Sequence, residues 1–254
     1  MKRPAMALAT ALLWIACSDA SGPGGEPGIS LSFSTGSSTA APTSGFFASV
    51  MADTMTDGQN ELIIDRAEVV LREIELERVE TEDCDSSVGN DDCEEFEIGP
   101  VLVDLPLNGQ TETHVTVNAP PGSYDEIEFE IHRVSSDDPE DADFRAQHPD
   151  MVDKSIRVTG TFNGQAFTYE TDLDVEQEHD LNPPLVIDES GSVNVTVLID
   201  VSMWFVDGSG NLVDPQTANK GGDNEGLVKE NIKQSVEAFE DDDHDGDDDN
   251  EDNS

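Results

Sequence analysis

The chain is poor in basic residues: 12 lysines and arginines stand against 57 aspartates and glutamates, a formal net charge of −45 over 254 residues. A field of that sign repels phosphate backbones and anionic membrane surfaces, so nucleic acid is excluded as a partner class and divalent cations or basic proteins are favoured. A solvated acidic surface suited to high salt would give the same composition. Long apolar runs are missing too. The predominantly apolar stretch Ala5 to Ala16 is far too short to span a bilayer, and no other segment comes closer. Hydrophobic residues make up 35% of the chain, low for a globular protein but compatible with one core.

Catalytic signatures are equally scarce. There is no phosphate-binding GxxxxGK[ST] loop, no GxGxxG fingerprint, no HExxH pair and no GxSxG elbow. The five histidines, His114, His132, His148, His179 and His244, fall in unrelated segments. Glu126, Glu128 and Glu130 read as the wet face of a strand in preference to a glycosidase acid pair. An enzyme is therefore not expected, although a hydrolase whose groups assemble from distant segments stays open. A carbohydrate- or matrix-binding module is the other alternative. It would use Trp204 and Phe205 as an aromatic platform, where the competing reading seals them into a core edge.

Cysteine is rare, with three in all. Cys17 closes the N-terminal segment, in which Lys2 and Arg3 precede the apolar stretch and Leu13-Trp14-Ile15-Ala16-Cys17 ends it. That arrangement resembles a bacterial lipoprotein signal. The resemblance implies that residues 1–17 are a signal peptide, that Cys17 is lipidated, and that the bilayer is a partner through an N-terminal acyl anchor. Ser18 after the cysteine then implies sorting to the outer membrane of the cell envelope, on either its periplasmic or its surface face. Ordinary cleavage after Ser18-Asp19-Ala20 is the alternative, and either route exports the protein. The remaining pair, Cys84 and Cys93, lies in a polar connection, and in an oxidising compartment it is expected to form a disulfide. Closing so short a loop stabilises by roughly 2–3 kcal/mol in the chain-entropy account.

Residues 18–28 (SDASGPGGEPG) make a flexible tether. Residues 29–215 read as a β domain. Ile29, Leu31 and Phe33 alternate, as do Ile127, Phe129 and Ile131, and Val193, Val195, Val197 and Ile199, the last strand running on to Trp204. The stretch Leu62 to Val79 fits either a helix or a strand whose phase slips once, as at a bulge; its β-branched content favours the strand. Phe96 and Ile98, then Val101, Val103 and Leu105, give another strand or pair. Asn163-Gly164 marks a tight hairpin, Ser135 to Asp150 a charged surface loop, and Pro183-Pro184 the entry to a short Leu185-Val186-Ile187 segment. Eight or nine short strands with frequent turns predict a mostly β fold, an antiparallel β-sandwich with one C-terminal helix and an acidic tail. The Pro121-Gly122-Ser123-Tyr124 turn and the strand after it resemble secreted transthyretin-like domains, which implies that fold without an activity.

Residues 216–254 differ from the rest. Leu227, Val228, Ile232, Val236 and Phe239 show helical spacing, with Asp223 or Asn224 as a cap, so a helix is expected to lead into DDDHDGDDDNEDNS. There Asp241, Asp243, Asp245, Gly246, Asp247, Asp249 and Asp252 occupy positions 1, 3, 5, 6, 7, 9 and 12 of a twelve-residue calcium loop. Calcium takes six to eight hard oxygens, and the glycine permits the sharp turn that lets alternate carboxylates converge. The spacing resembles an EF-hand or dockerin-type loop and names calcium as the candidate cofactor. His244, at position four, is expected to point outward. The competing reading is a solvated acidic tail: from Glu240 onward it carries ten acidic residues and no basic one.

Overall fold

A computed structural model describes residues 27–35, 54–79, 99–189, 191–246 and 248–249. The signal segment with Cys17, Cys84 and Cys93, Phe96 and Ile98, and the predicted ligands Asp247 and Asp252 lie outside the described residues.

The described chain is mostly β, in two sheets with few helices. The smaller sheet has the order β11-β10-β1-β5, from β1 (Gly28–Ser34), β5 (Glu112–Asn118), β10 (Ser192–Ile199) and β11 (Val236–Glu240). The larger has the order β8-β7-β3-β6-β9, from β3 (Glu61–Arg78), β6 (Gly122–Ile131), β7 (Ile156–Phe162), β8 (Gln165–Thr171) and β9 (Val175–Ile187). Two short strands, β2 (Thr54–Thr56) and β4 (Val101–Asp104), also pair with β3. The pairings are antiparallel except β1 with β10, which run side by side from Gly28↔Ser192 to Ser34↔Leu198.

Alternation builds the core. Ile29, Leu31 and Phe33 of β1, Val195, Val197 and Ile199 of β10, and Ile127, Phe129 and Ile131 of β6 all join one buried cluster. On β3 the inward phase is Ala67, Val69 and Leu71, then Ile74 and Leu76. The switch falls where the register against β6 shifts between Arg72 and Glu75, and Glu73 takes φ 51 there. The predicted phase slip is thus a bulge: one extra residue keeps both halves of a long strand facing the core. The Asn163-Gly164 hairpin also forms, with both residues at positive φ (51 and 74) between Phe162 and Gln165.

Four local expectations fail, each for a tertiary reason. The chain does not break at Pro183-Pro184. Those prolines sit in β9, where residues 181–184 bulge opposite Asp125 on an edge strand, a place that needs no ladder donor. The strand of β10 stops at Ile199 instead of reaching Trp204, because Asp200 accepts from Ser202 N and turns the chain into a short 3-10 segment at Val201–Met203. The stretch after Ser135 is not all surface loop. Its helix α1 (Ala142–Gln147) presses Phe144 onto Val70, Val134 and Met151, a small cluster beside the main core. Finally, the predicted C-terminal helix is half as long as expected. Helix α2 (Glu225–Lys233) ends before Gln234, and Val236 to Glu240 forms β11 against the free edge of β10, from Ile199↔Val236 to Val195↔Glu240. An open edge of five ladder positions outweighs the weak intrinsic preference for two more helical turns.

Candidate cation site at the end of strand β11

Strand β11 delivers Asp241 onto the outer face of the smaller sheet, so a strand, and not the expected helix, feeds the acidic loop. That face is polar because the inward positions take the apolar residues. Ser32, Asn194 and Thr196 all point outward and are nevertheless buried, since the loop folds back over them. They form a network: Ser32 Oγ donates to Asn194 Oδ1 at 2.7 Å, and Asn194 Nδ2 donates to Thr196 Oγ1 at 3.1 Å and to Asp241 O at 2.8 Å.

Asp241 is fully enclosed, at 0% exposure. Its Oδ2 accepts from Thr196 Oγ1 at 2.8 Å and from Gly246 N at 3.1 Å, and its Oδ1 accepts from Asp245 N at 3.1 Å. Asp243 Oδ1 accepts from Asp245 N at 3.2 Å. Gly246 takes φ +88, a conformation other residues reach only with strain, and a Cβ there would lie 3.0 Å from Thr111 Oγ1. The result is a turn that carries carboxylate oxygens of Asp241, Asp243 and Asp245 to within 4.8 Å of one another, a group that can hold a metal ion. Asp249 lies beside it and closes the turn: its Oδ2 accepts from Asp242 N at 2.7 Å and its N–H donates to Glu240 O. Loss of water contact, then the charges of Asp245, Asp249 and Asp241, push the Asp243 carboxyl up from its ordinary range. His244 is exposed, as expected for position four, with Nδ1 3.5 Å from Ser32 Oγ.

Of the six predicted ligands, then, three converge, Asp249 abuts them, and Asp247 and Asp252 lie outside the described residues. The supporting shell of Ser32, Asn194 and Thr196 escaped the sequence reading. Its one signal was polar residues at alternate positions of two strands that otherwise read as core.

A second acidic region covers the outer face of the larger sheet. The registers place Glu75 opposite Glu128 and Glu128 opposite Glu178, with Glu77, Glu126 and Asp180 in the next row and Glu130 beside Glu176 in the last. Like charges directly opposite on neighbouring strands destabilise a sheet. Partial burial first, then a hydrogen bond that the protonated Glu128 carboxyl makes to Glu126 and the charges of Glu77, Glu126 and Glu176, push Glu128 up to about 7. Glu130 rises to about 7 as well, through burial and a hydrogen bond with Asp174, against the pull of Arg72. These glutamates face outward as predicted, but they are not freely solvated. Two further groups on this side can hold a metal ion, Glu126 with Glu128 and Glu178, and Glu130 with His132 and Asp174.

The aromatic platform does not form. Trp204 is at 0% exposure and donates Nε1–H to Ser235 Oγ at 2.7 Å, while Phe205 packs edge-on against Tyr169 and Phe167. The histidines are dispersed: His114 lies on β5, His132 after β6, His148 after α1, His179 inside β9 stacked on Phe129, and His244 in the loop. Among the described residues no helix is long and apolar enough to cross a membrane. Comparison with known proteins returned nothing: no family model, no curated protein and no solved structure matches this chain.

Proposed function

We propose that this is a non-enzymatic, exported lipoprotein of the cell envelope that binds calcium through its C-terminal loop, residues 241–252, in a binding or structural role. One observation carries the reading: Asp241, Asp243 and Asp245 converge around a glycine at positive φ, at the loop positions where calcium takes its oxygens. Oxygen-only ligands suit a hard cation. The buried base of the loop supports it further, because an enclosed Asp241 held by Thr196 is already placed for one ligand and costs little to order. The N-terminal features supply the rest. A lipidated Cys17 ties the chain to the outer membrane, and the eleven residues from there to Gly28 reach at most about 40 Å, enough to lift the sandwich clear of the headgroups.

Isothermal titration tests the calcium reading. The dissociation constant is expected on the order of 10⁻⁴–10⁻³ M, the range of extracellular modules. Asp243→Asn and Asp245→Asn alter exposed side chains, so the sheet survives while the site loses charge; together they should abolish the saturable heat. Equal heat in wild type and double variant would remove the assignment. Fatty-acid labelling that persists in Cys17→Ser would remove the anchor.

A further inference from the structure

We propose that Glu130, His132 and Asp174 form a second cation site, separate from the C-terminal loop, that takes a zinc-class divalent ion. The His132 side chain is only 4% exposed, yet its Nδ1 makes no hydrogen bond. That atom points between two carboxylates, 3.3 Å from Glu130 Oε2 and 4.0 Å from Asp174 Oδ1. The other ring nitrogen is committed. Nε2 lies 2.8 Å from Asp141 Oδ1, and Asp141 is fully buried with its Oδ2 taken by Ser135 N at 2.6 Å. Asp141 is therefore an acceptor fixed in place, so the ring carries a proton on Nε2 and presents a lone pair at Nδ1.

A lone pair aimed between two carboxylates is repulsive unless something positive lies between them. A proton on Nδ1 would draw a carboxylate into line as an acceptor, and neither is aligned; the hydrogen bond between Glu130 and Asp174 joins the two carboxyls to each other and still leaves Nδ1 without a partner. Three donor atoms within 4.8 Å of one another are instead close enough to share an ion. Zinc–ligand bonds of about 2.0–2.2 Å set donor–donor separations near 3.3 Å in a tetrahedron, which the His132–Glu130 spacing already meets. Asp174 needs a small inward movement, which its half-exposed side chain makes at the expense of a long 3.5 Å hydrogen bond from Arg133 N and of its hydrogen bond with Glu130. The carboxylate behind the imidazole is the usual partner of a metal-bound histidine, holding tautomer and ring orientation. An imidazole ligand favours zinc-class ions over calcium.

Arg72 donates Nε–H to Glu130 Oε2 at 3.0 Å, a nearby positive charge that works against the ion. Glu73 and Asp138 sit against the same guanidinium at 3.0 and 3.3 Å, so the neighbourhood remains net negative. Three protein ligands leave a fourth position for water on the exposed Asp174 side, an open site.

The test uses the full chain, stripped with chelator, and Co²⁺ as a visible probe with Zn²⁺ as competitor. To separate the two sites, Asp243→Asn and Asp245→Asn first silence the loop. One equivalent of Co²⁺ should still bind with the absorption of a low-coordinate nitrogen–oxygen site and be displaced by Zn²⁺. Asp174→Asn, at an exposed position that leaves the fold intact, should weaken it by at least about 10-fold. Zn²⁺ should also perturb the His132 imidazole nitrogen resonances. The proposal is overturned if the loop variant loses all binding, if Asp174→Asn binds as wild type does, or if His132 remains a doubly protonated imidazolium under excess Zn²⁺.

Discussion

Replacing Glu128 by Gln should stabilise this protein at neutral pH and leave it unchanged in mild acid. Glu128 faces Glu75 and Glu178 across the sheet, with Glu77, Glu126 and Glu176 close enough to oppose its ionisation. Its carboxyl titrates near 7 in the folded chain against 4.5 ordinarily. A folded value above the unfolded one means that the folded state holds the proton more tightly. The associated stability is complete below pH 4.5 and is lost as the pH rises through 7. The full difference corresponds to about 3 kcal/mol. Glu128 is only partly buried, so water and salt screen most of it and about 1 kcal/mol is expected. For a domain of this size that amounts to roughly 2–4 °C in melting temperature. Thermal unfolding at pH 5 and pH 8 reads it: the wild type should melt lower at pH 8, Glu128→Gln should lose part of that drop, and 1 M NaCl should shrink the difference. A variant that falls as far as wild type between the two pH values would refute the argument. The acid limb is separate. Asp57, held low by the Asn60 side chain and by backbone N–H groups of Asn60, Gln59 and Leu212, and Asp172, held low by Lys220 and Lys229, contribute stability above pH 4 that disappears only as the pH falls further.

Other perturbations bear on the core and the turns. Trp204→Ala should cost about 3–5 kcal/mol in urea unfolding, since a fully buried indole leaves a cavity and Ser235 Oγ loses one of its two hydrogen bonds; a cost under 1 kcal/mol would place the ring at the surface. Arg157→Ala should cost roughly 3 kcal/mol, because Glu68, at 2% exposure, would keep only Arg66 as a counter-ion, and Glu68→Gln in the same chain should recover part of it. Gly164→Ala should cost about 1 kcal/mol through its φ of 74 and leave the rest of the fold untouched, as judged by circular dichroism and denaturant midpoint.

The β domain was legible wherever one face is wet and one dry. Ile127, Phe129 and Ile131 alternate with glutamates, and that pattern alone sets strand and orientation. The bulge at Glu73 was legible as a phase slip, since the core must stay on one side. What stayed hidden depends on partners distant in sequence. Nothing local distinguishes Val236 to Glu240 as a strand, because the deciding feature is the free edge of β10, some forty residues earlier. Trp204 reads as a core plug in preference to a platform, but its polar partner Ser235 is visible only once the two are placed side by side. The loop's aspartate register was plain, while the Ser32, Asn194 and Thr196 support beneath it is a product of β1 and β10 pairing in parallel. Likewise Glu130 and His132 are two residues apart, but Asp174 and Asp141 reach them only through the ends of β9 and α1.

Calcium titration followed by amide resonances tests the central claim most directly. The Asp245 and Gly246 N–H groups that donate to Asp241 lie at the heart of the loop. Their signals should shift saturably with Ca²⁺, on a midpoint between about 10⁻⁴ and 10⁻³ M, while magnesium at equal concentration does less. Shifts that grow linearly without saturation, or that spread evenly over the glutamate rows of the larger sheet, would show a counter-ion atmosphere in place of a bound ion and contradict the account.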